Sequence, residues 1–456
     1  MQASHPMTKE KNTMIRKITA VLSALALVLG VAALFAQAQE APAQPQQPSA
    51  GSVYYLNFKP EQAVQWELAA QRYRQKTGVP VTILTAASGT YEDTLRSEME
   101  KTDPHTLFQV NGPTGLRTWR DWCLDLRDTA LFKHLQSQSF ALFDGEEVPA
   151  IAYAVETYGI ICNRTLLAEY CDMENAVIRT PDDITSFETL KAVAQDIQKR
   201  RDELGVLGAF TSAGMDASSD WRFKTHLANL PIYYEYRKDG IADTQAIRGD
   251  YLPQFQQIWD LYLNNATCPP ALIGARTAED AASEFALGEA VFYQNGTWAY
   301  EDCVSEGLTD DELGMLPIYI GAEGEEEQGL CMGSENYWCI NRHAAPEDIE
   351  ATKAFLEWLI TSEEGKRLLT VEMGFVTPFD TMEADMDSMN ALQRAAQESL
   401  MQGRWPVSWA FTTIPSETWK NRLGAAMLEY AQGTGDWNAV RTAFVDGWAD
   451  EQSRAE

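Results

Sequence analysis

The sequence predicts an α/β protein whose sheets are mostly parallel and covered by helices. Three observations carry that expectation. Between residues 52 and 110 short β-branched runs alternate with amphipathic stretches, the β-α-β-α-β order that builds parallel pairs. At 456 residues the chain has material for two or more domains. The run 148–162 (VPAIAYAVETYGIIC), broken by Gly159, is long enough to leave one sheet and enter another.

The elements follow in order. Residues 52–58 (SVYYLNF) read as the first strand. Residues 61–76 continue at helical spacing, with Val64, Leu68 and Tyr73 on the apolar side, and stop at Gly78. Residues 80–85 are the next strand, 88–90 a loop, 91–100 a helix and 106–110 a third strand; 111–115 (NGPTG) form a loop beyond its carboxyl end. Thr180 and Pro181, followed by Asp182 and Asp183, open a helix that continues in period over 187–200. Residues 206–210 read as a strand and 251–263 as an amphipathic helix. Thr277 and Asp280 have the spacing of a capping box for a helix running into Leu287. The stretch 284–298 (EFALGEAVFYQNGTW) is then a helix end, a Gly stop, an apolar strand and a polar loop ending in Trp298. Residues 313–320 and 337–340 are strands separated by an acidic, Gly-rich turn at 321–329. A long helix over 346–369 has Ala351, Phe355, Trp358 and Leu359 on one side. Residues 375–378 return the chain, and 389–401, 418–431 and 437–448 are helices.

Composition narrows the function. A hydrophobic content of 45% with 22% charged residues describes a soluble globular chain. A net charge of −30 repels phosphate backbones and anionic bilayers, so no nucleic-acid partner is expected. Arg16 and Lys17 precede the uncharged apolar run 18–35, and Ala36-Gln37-Ala38 supplies a small-x-small cleavage pattern. That reads as an export signal, residues 1–38, with an uncleaved anchor through 18–35 as the alternative. Residues 39–51 form a Pro/Gln-rich linker. Seven cysteines cannot all pair; Cys162/Cys171 and Cys331/Cys339 are the closest in sequence, and buried, mostly unpaired thiols are the expectation. With no Cys-x-x-Cys and only five His, neither a metal nor a cofactor is expected.

Several strand ends carry the same chemistry: Asn57 and Lys59, Ser88 to Tyr91, Asn111 to Thr114, and Gln294 through Asn295 to Trp298. Ligands of open α/β sheets bind beyond the carboxyl ends of strands. Amides, hydroxyls and a flat aromatic face there suit a neutral, hydroxyl-rich ligand. Each Asn is equally an ordinary turn residue, and Trp298 an ordinary packing residue. Glu156 stands inside the apolar run 152–161. It either faces a cleft and accepts hydrogen bonds from ligand hydroxyls, or lies on an exposed strand face beside Tyr153 or Tyr158. No Gly-x-x-x-x-Gly-Lys-Ser/Thr, Gly-x-Ser-x-Gly or His-Glu-x-x-His occurs. Among 66 acidic residues, spacing alone selects no catalytic carboxylate pair.

In this order the features resemble the extracellular solute-binding proteins of ABC importers, family 1, over residues 53–448. Phe285-x-x-Gly288-x-Ala290-x-Phe292-x-x-x-Gly296-x-Trp298 is similar to that family's signature. Ala154-Val155-Glu156-x-x-Gly159-Ile160 resembles its crossover between lobes, and Gly374-Phe375-Val376-x-Pro378 its closing hinge. Thr180-Pro181-Asp182 with Leu190, Ala354-Phe355-Leu356-x-Trp358-Leu359 and Pro415-x-x-x-Trp419 match further segments.

The resemblance implies a two-lobe, periplasmic-binding-protein-like clamp of type II. Lobe 1 would be 52–154 plus 333–376, and lobe 2 would be 155–332 plus 377–456, with closure about a hinge burying the ligand. It implies a monomer without enzymatic activity or cofactor, which captures a mono- or oligosaccharide and hands it to the transmembrane subunits of an ABC importer. The ligand contacts it implies are Trp298 and Trp419 against sugar rings, Glu156 at the first crossing, and Asn57, Lys59 and Glu61 after the first strand. Ser88, Asn111 and Asn295 join them from other strand ends, Asp216 and Trp221 from a segment variable in the family, and Trp338 from the strand 337–340. The loop at Asn111-Gly112 departs from the aromatic and acidic pattern of maltose binders, so a different sugar is expected. Two further readings stay open: the same fold binding a polyamine, which the acidity would fit, and an exported glycosidase. No Cys precedes Cys123, so the lipid anchor common in the family is not expected.

Overall fold

The computed structural model describes residues 51–455 except Ser88 and 383–385. The export signal, its alternative as an anchor and most of the linker therefore lie outside the described residues. Two six-stranded sheets organise the rest. The first contains β1 (Val53–Asn57), β2 (Val81–Thr85), β3 (Leu107–Asn111), β4 (Ala141–Asp144), β5 (Glu147–Ala152) and β11 (Asn336–Ile340). Its order is β2-β1-β3-β11-β5-β4. The second contains β6 (Glu156–Asn163), β7 (Gly208–Phe210), β8 (Ala290–Gly296), β9 (Leu313–Leu316), β10 (Gln328–Gly333) and β12 (Trp405–Ser408). Its order is β12-β10-β6-β8-β7, with β9 also paired to β6.

Both sheets are mixed rather than mostly parallel. Strands joined through helices pair in parallel, as in β1 with β2 and β3. Strands that arrive directly from the other sheet run the opposite way: β11 is antiparallel to β3 and β5, and β6 to β8, β9 and β10. The long apolar run changes sheets between β5 and β6, at residues 153–155, the stretch that holds Ala154 and Val155. Gly159 lies inside β6 because β9 passes so close that a Cβ would overlap the Leu316 carbonyl. A second passage, at residues 334–335, joins β10 to β11. Val155 donates to the Val376 carbonyl at 2.6 Å, so the connection that follows the helices Pro346–Thr361 and Glu363–Arg367 runs beside the first passage.

Local chemistry explains most elements and three differences. The helix Ala63–Thr77 ends at Gly78, whose φ of +79° suits a residue without a Cβ. Its buried face is Trp66, Ala69, Ala70 and Tyr73, whereas Val64 is 69% exposed. Trp66 decides the rotation, because its large ring fills the space between Tyr55 (5.0 Å) and Trp338 (6.2 Å). Residues 112–119 form a helix, Gly112–Trp119, and not a loop; Pro113 near its start is compatible with that. The helix Pro346–Thr361 stops before 369 because Ser362 is extended and accepts from the Gly365 N–H, capping a second helix, Glu363–Arg367. All seven cysteines are buried and free. Among the described residues no helix is long and apolar enough to cross a membrane, and no group of His, Cys, Asp and Glu is arranged to hold a metal ion.

Candidate functional site

β8 delivers Gly296 to the edge of the second sheet, and Trp298 follows in a short turn. The indole folds back over Gly296 so closely that a Cβ there would overlap the ring. This is the physical reason for glycine two positions before the tryptophan. Around the half-buried Trp298 stands an aromatic wall. Ring centroids lie 5.4 Å away at His226, 6.0 Å at Trp221, 6.4 Å at Tyr158 and 6.5 Å at Trp409. His226 stacks on Tyr158 at 4.4 Å with the planes 8° apart. Burial, reinforced by the charges of Lys420 and Lys59, lowers its pKa to about 3, so the wall is uncharged at neutral pH. Trp221 donates from Nε1 to the Ser218 carbonyl at 2.8 Å. Asp216 accepts from the Ser218 N–H at 2.9 Å, which, with further hydrogen bonds to its carboxylate, lowers its pKa and fixes this loop.

The segment after β1 meets that wall. Asn57 accepts from the Lys59 N–H at 3.0 Å and donates to the Lys59 carbonyl at 2.7 Å and to Thr85 Oγ1 at 3.2 Å. This side-chain-closed turn aims the Lys59 ammonium at Glu156 Oε1, 2.7 Å away, with Glu61 at 3.5 Å and the Trp298 ring centroid at 5.8 Å. Burial alone would lower the Lys59 pKa, but Glu156 and Glu61 more than offset it, so the ammonium stays charged. The Glu61 carboxyl is raised, burial outweighing the attraction of Lys59, and at 2.7 Å against 3.5 Å Glu156 is the nearer partner. The pair joins the first sheet's β1 loop to the first residue of β6 in the second sheet.

A polar floor completes the site. Asn111 ends β3 and Asn336 opens β11 directly opposite it in the ladder, so both side chains share one face. The Oδ1 of each is buried without a hydrogen-bond partner. Glu335 is half-buried beside them, its carbonyl accepting from the Gly112 N–H at 3.0 Å. Burial raises its carboxyl from 4.5 to about 7, against the pull of Lys420 and Lys59. The two sides touch at the rim: Thr114 Oγ1 donates to the Ile414 carbonyl at 2.9 Å. Gly112, at φ +61°, sits where a Cβ would come within 2.9 Å of Thr412 Cβ.

Residues 69–396 match the profile of bacterial extracellular solute-binding proteins. The chain belongs to that family. No curated protein matches it in sequence. Solved structures share the fold at low identity. A chitin oligosaccharide binding protein superposes with TM-score 0.70 at 14% identity, covering 90% of this chain and 99% of its own. RafE in complex with raffinose gives 0.66 at 16%, covering 87% and 99%. A sugar transporter from Bacillus licheniformis in complex with stachyose gives 0.64 at 18%, covering 89% and 100%. These likenesses make the architecture of this solute-binding protein a two-lobe α/β clamp.

Against that geometry the predicted residues of the solute-binding protein divide. Trp298, Glu156, Lys59, Glu61 and Trp221 gather where the β1 loop meets the aromatic wall, Asn111 stands at the end of β3, and Asp216 fixes the loop that carries Trp221. Trp298 and Glu156 also line a groove of about 100 Å3 that continues along residues 370–376. Ser88 lies outside the described residues. Four others are buried and make their hydrogen bonds within the protein. Trp419 is fully buried, donates to the Phe444 carbonyl at 2.9 Å and packs on Trp448. Trp338 is fully buried, stacked on Tyr153 at 4.5 Å. Asn57 is consumed by its turn. Asn295 donates to Tyr293 Oη at 2.5 Å and accepts from the Gly296 N–H, shaping the strand end. A larger cavity, about 440 Å3, lies among Glu188, Gln254, Gln257 and Glu326 and contains none of the predicted residues. Sequence reasoning missed His226, Glu335, Asn336 and Trp409. Only Glu335 carried a signal, as a charged residue beside the apolar strand 337–340.

Proposed function

We propose that this solute-binding protein captures a carbohydrate between two lobes, 52–154 plus 333–376 and 155–332 plus 377–456, and delivers it to an ABC importer as an exported monomer. The observation that carries the reading is the opposition of an uncharged aromatic wall around Trp298 to an amide-lined floor at Asn111 and Asn336. Pyranose rings present apolar C–H faces and a rim of hydroxyls, which such a pair of surfaces matches. The sugar ligands named for the neighbouring folds, chitin oligosaccharide, raffinose and stachyose, support the same class. A polyamine would need a free carboxylate for each of its ammonium groups, whereas Lys59 engages Glu156 and Glu61 and leaves Glu335 as the one unengaged acid among these groups. The test is a thermal-shift screen of neutral oligosaccharides and polyamines, since a ligand that binds only the native state raises its melting temperature. A shift with polyamines alone would reject the carbohydrate reading.

A further inference from the structure

The passage from β10 to β11 carries a carboxylate that the fold does not use. Glu335 accepts no side-chain hydrogen bond or ion pair from the described residues, although its own backbone is tied to Gly112. Its neighbour Asn336 is 3% exposed, and the Oδ1 atoms of Asn336 and Asn111 are both buried and unpartnered. Trp409, 6% exposed and packed directly on Gly333, has an unpartnered Nε1. A buried polar group without a partner is costly, so the three buried, unpartnered atoms of Asn111, Asn336 and Trp409, brought beside Glu335 from the end of β3, the start of β11 and the segment after β12, call for a ligand to satisfy them. Their chemistry is alternating: a carboxylate and two amide oxygens accept, and an indole N–H donates. Sugar hydroxyls do both.

The charges nearby define what else fits. The cations that act on Glu335 are Lys59 and Lys420. Lys59 is committed to Glu156 at 2.7 Å and Lys420 to Glu417 at 2.7 Å. An anionic ligand would therefore meet the Glu335, Glu156 and Glu417 carboxylates with no unengaged cation among these groups to receive it. We infer that Glu335, Asn111 and Asn336, with the Trp409 indole, form a hydroxyl-binding subsite that restricts the solute to sugars lacking an anionic group. This rests on the carbohydrate reading above and narrows it.

The test compares the wild-type protein with Glu335→Gln, by thermal shift and then titration calorimetry. The probes are neutral sugars (raffinose, stachyose, maltotriose, chitobiose) and anionic ones (digalacturonate, sialyllactose). At least one neutral sugar should bind the wild type and no anionic one should come within tenfold of it. Glu335→Gln should lose about tenfold for that neutral sugar and narrow the gap to the anionic probes, a change that a purely structural role would not produce. Asn336→Ser serves as the second variant and should also weaken the neutral sugar. An anionic sugar that binds the wild type as well as a neutral one overturns the restriction. Unchanged affinity of the neutral sugar in both variants overturns the subsite while leaving the carbohydrate reading intact. Failure of every sugar to bind the wild type overturns the carbohydrate reading and this inference with it.

Discussion

Replacing Lys59 with Met probes the contact that joins the two halves of the site. The Lys59 ammonium lies 2.7 Å from Glu156 Oε1, with the side chains 5% and 9% exposed. At an effective dielectric constant of about 20, that separation corresponds to a gross attraction of roughly 6 kcal/mol. Desolvating each ion costs several kcal/mol, so the intact pair contributes little net stability. Breaking it is another matter, because Glu156 is then left buried and Glu61 loses the cation 3.5 Å from it. Such an uncompensated charge costs about 3–5 kcal/mol, a large fraction of an ordinary domain's stability of about 5–15 kcal/mol. The assay is urea unfolding followed by tryptophan fluorescence on the wild type, Lys59→Met and the double variant Lys59→Met/Glu156→Leu. The single variant should unfold at markedly lower urea, and the double variant should recover most of the loss. A single-variant effect under about 1 kcal/mol would refute the reasoning, since the pair would then behave as a solvent-screened surface contact. A double variant less stable than the single one would refute it from the other side.

The remaining predictions are shorter. Trp298→Ala should weaken binding of the identified sugar at least tenfold by calorimetry while circular dichroism stays native. Trp419→Ala should instead cost about 3–5 kcal/mol in urea unfolding, as expected for emptying a buried tryptophan site, and leave the affinity of the folded protein unchanged. Glu335 sets a pH dependence of known sign. Its folded pKa of about 7 exceeds its ordinary 4.5. Between those values the native state holds the extra proton, so stability falls as pH rises from about 5 to 7, by at most about 3 kcal/mol at roughly 1.4 kcal/mol per unit. The groups facing it are Lys420 and Glu417 from one helix, Lys59 from the β1 loop and Glu156 from β6. Glu335→Gln should flatten the profile; parallel profiles for the two proteins would reject the assignment.

The fold was legible where one local signal decided each element. Hydrophobic alternation and Gly78 located the first three strands and the intervening helix, and the Thr277 capping box located the helix before β8. Two kinds of information were not local. Strand direction depends on which sheet a strand comes from, so β11, read correctly as a strand, was not legible as antiparallel. β10 and β12 were missed because neither reads as a strand by itself. β10 begins within an acidic, Gly-rich stretch, and β12 is four residues long with a proline, tolerable only at the sheet edge where it lies. The helix Ala63–Thr77 shows the same limit inside one element, since the spacing of Val64 and Leu68 was sound but Trp66 had the larger surface to bury.

The site depended on a finer question, which side chains are already satisfied by their own surroundings. Asn57, Asn111 and Asn295 occupy equivalent places at strand ends and are indistinguishable in sequence. In space Asn57 spends its amide on the two sides of Lys59, and Asn295 on Tyr293 and the Gly296 N–H. Asn111 has neither outlet: the chain enters the helix Gly112–Trp119 at once, its side chain caps nothing there, and its Oδ1 is buried without a partner opposite Asn336 in the ladder. Among the tryptophans, Trp419 finds the Phe444 carbonyl and Trp338 finds Tyr55 Oη, whereas the Nε1 atoms of Trp66, Trp259, Trp358 and Trp409 are buried without a partner; of these four only Trp409 stands beside Trp298. A strand-end polar group becomes a ligand group when the local chain cannot close on it, and that is decided by the next element rather than by the residue. The aromatic signature at Trp298 pointed to the cleft, but the groups that define its chemistry come from the passage at Glu335 and Asn336, where the chain returns to the first sheet and leaves its polar atoms unmatched.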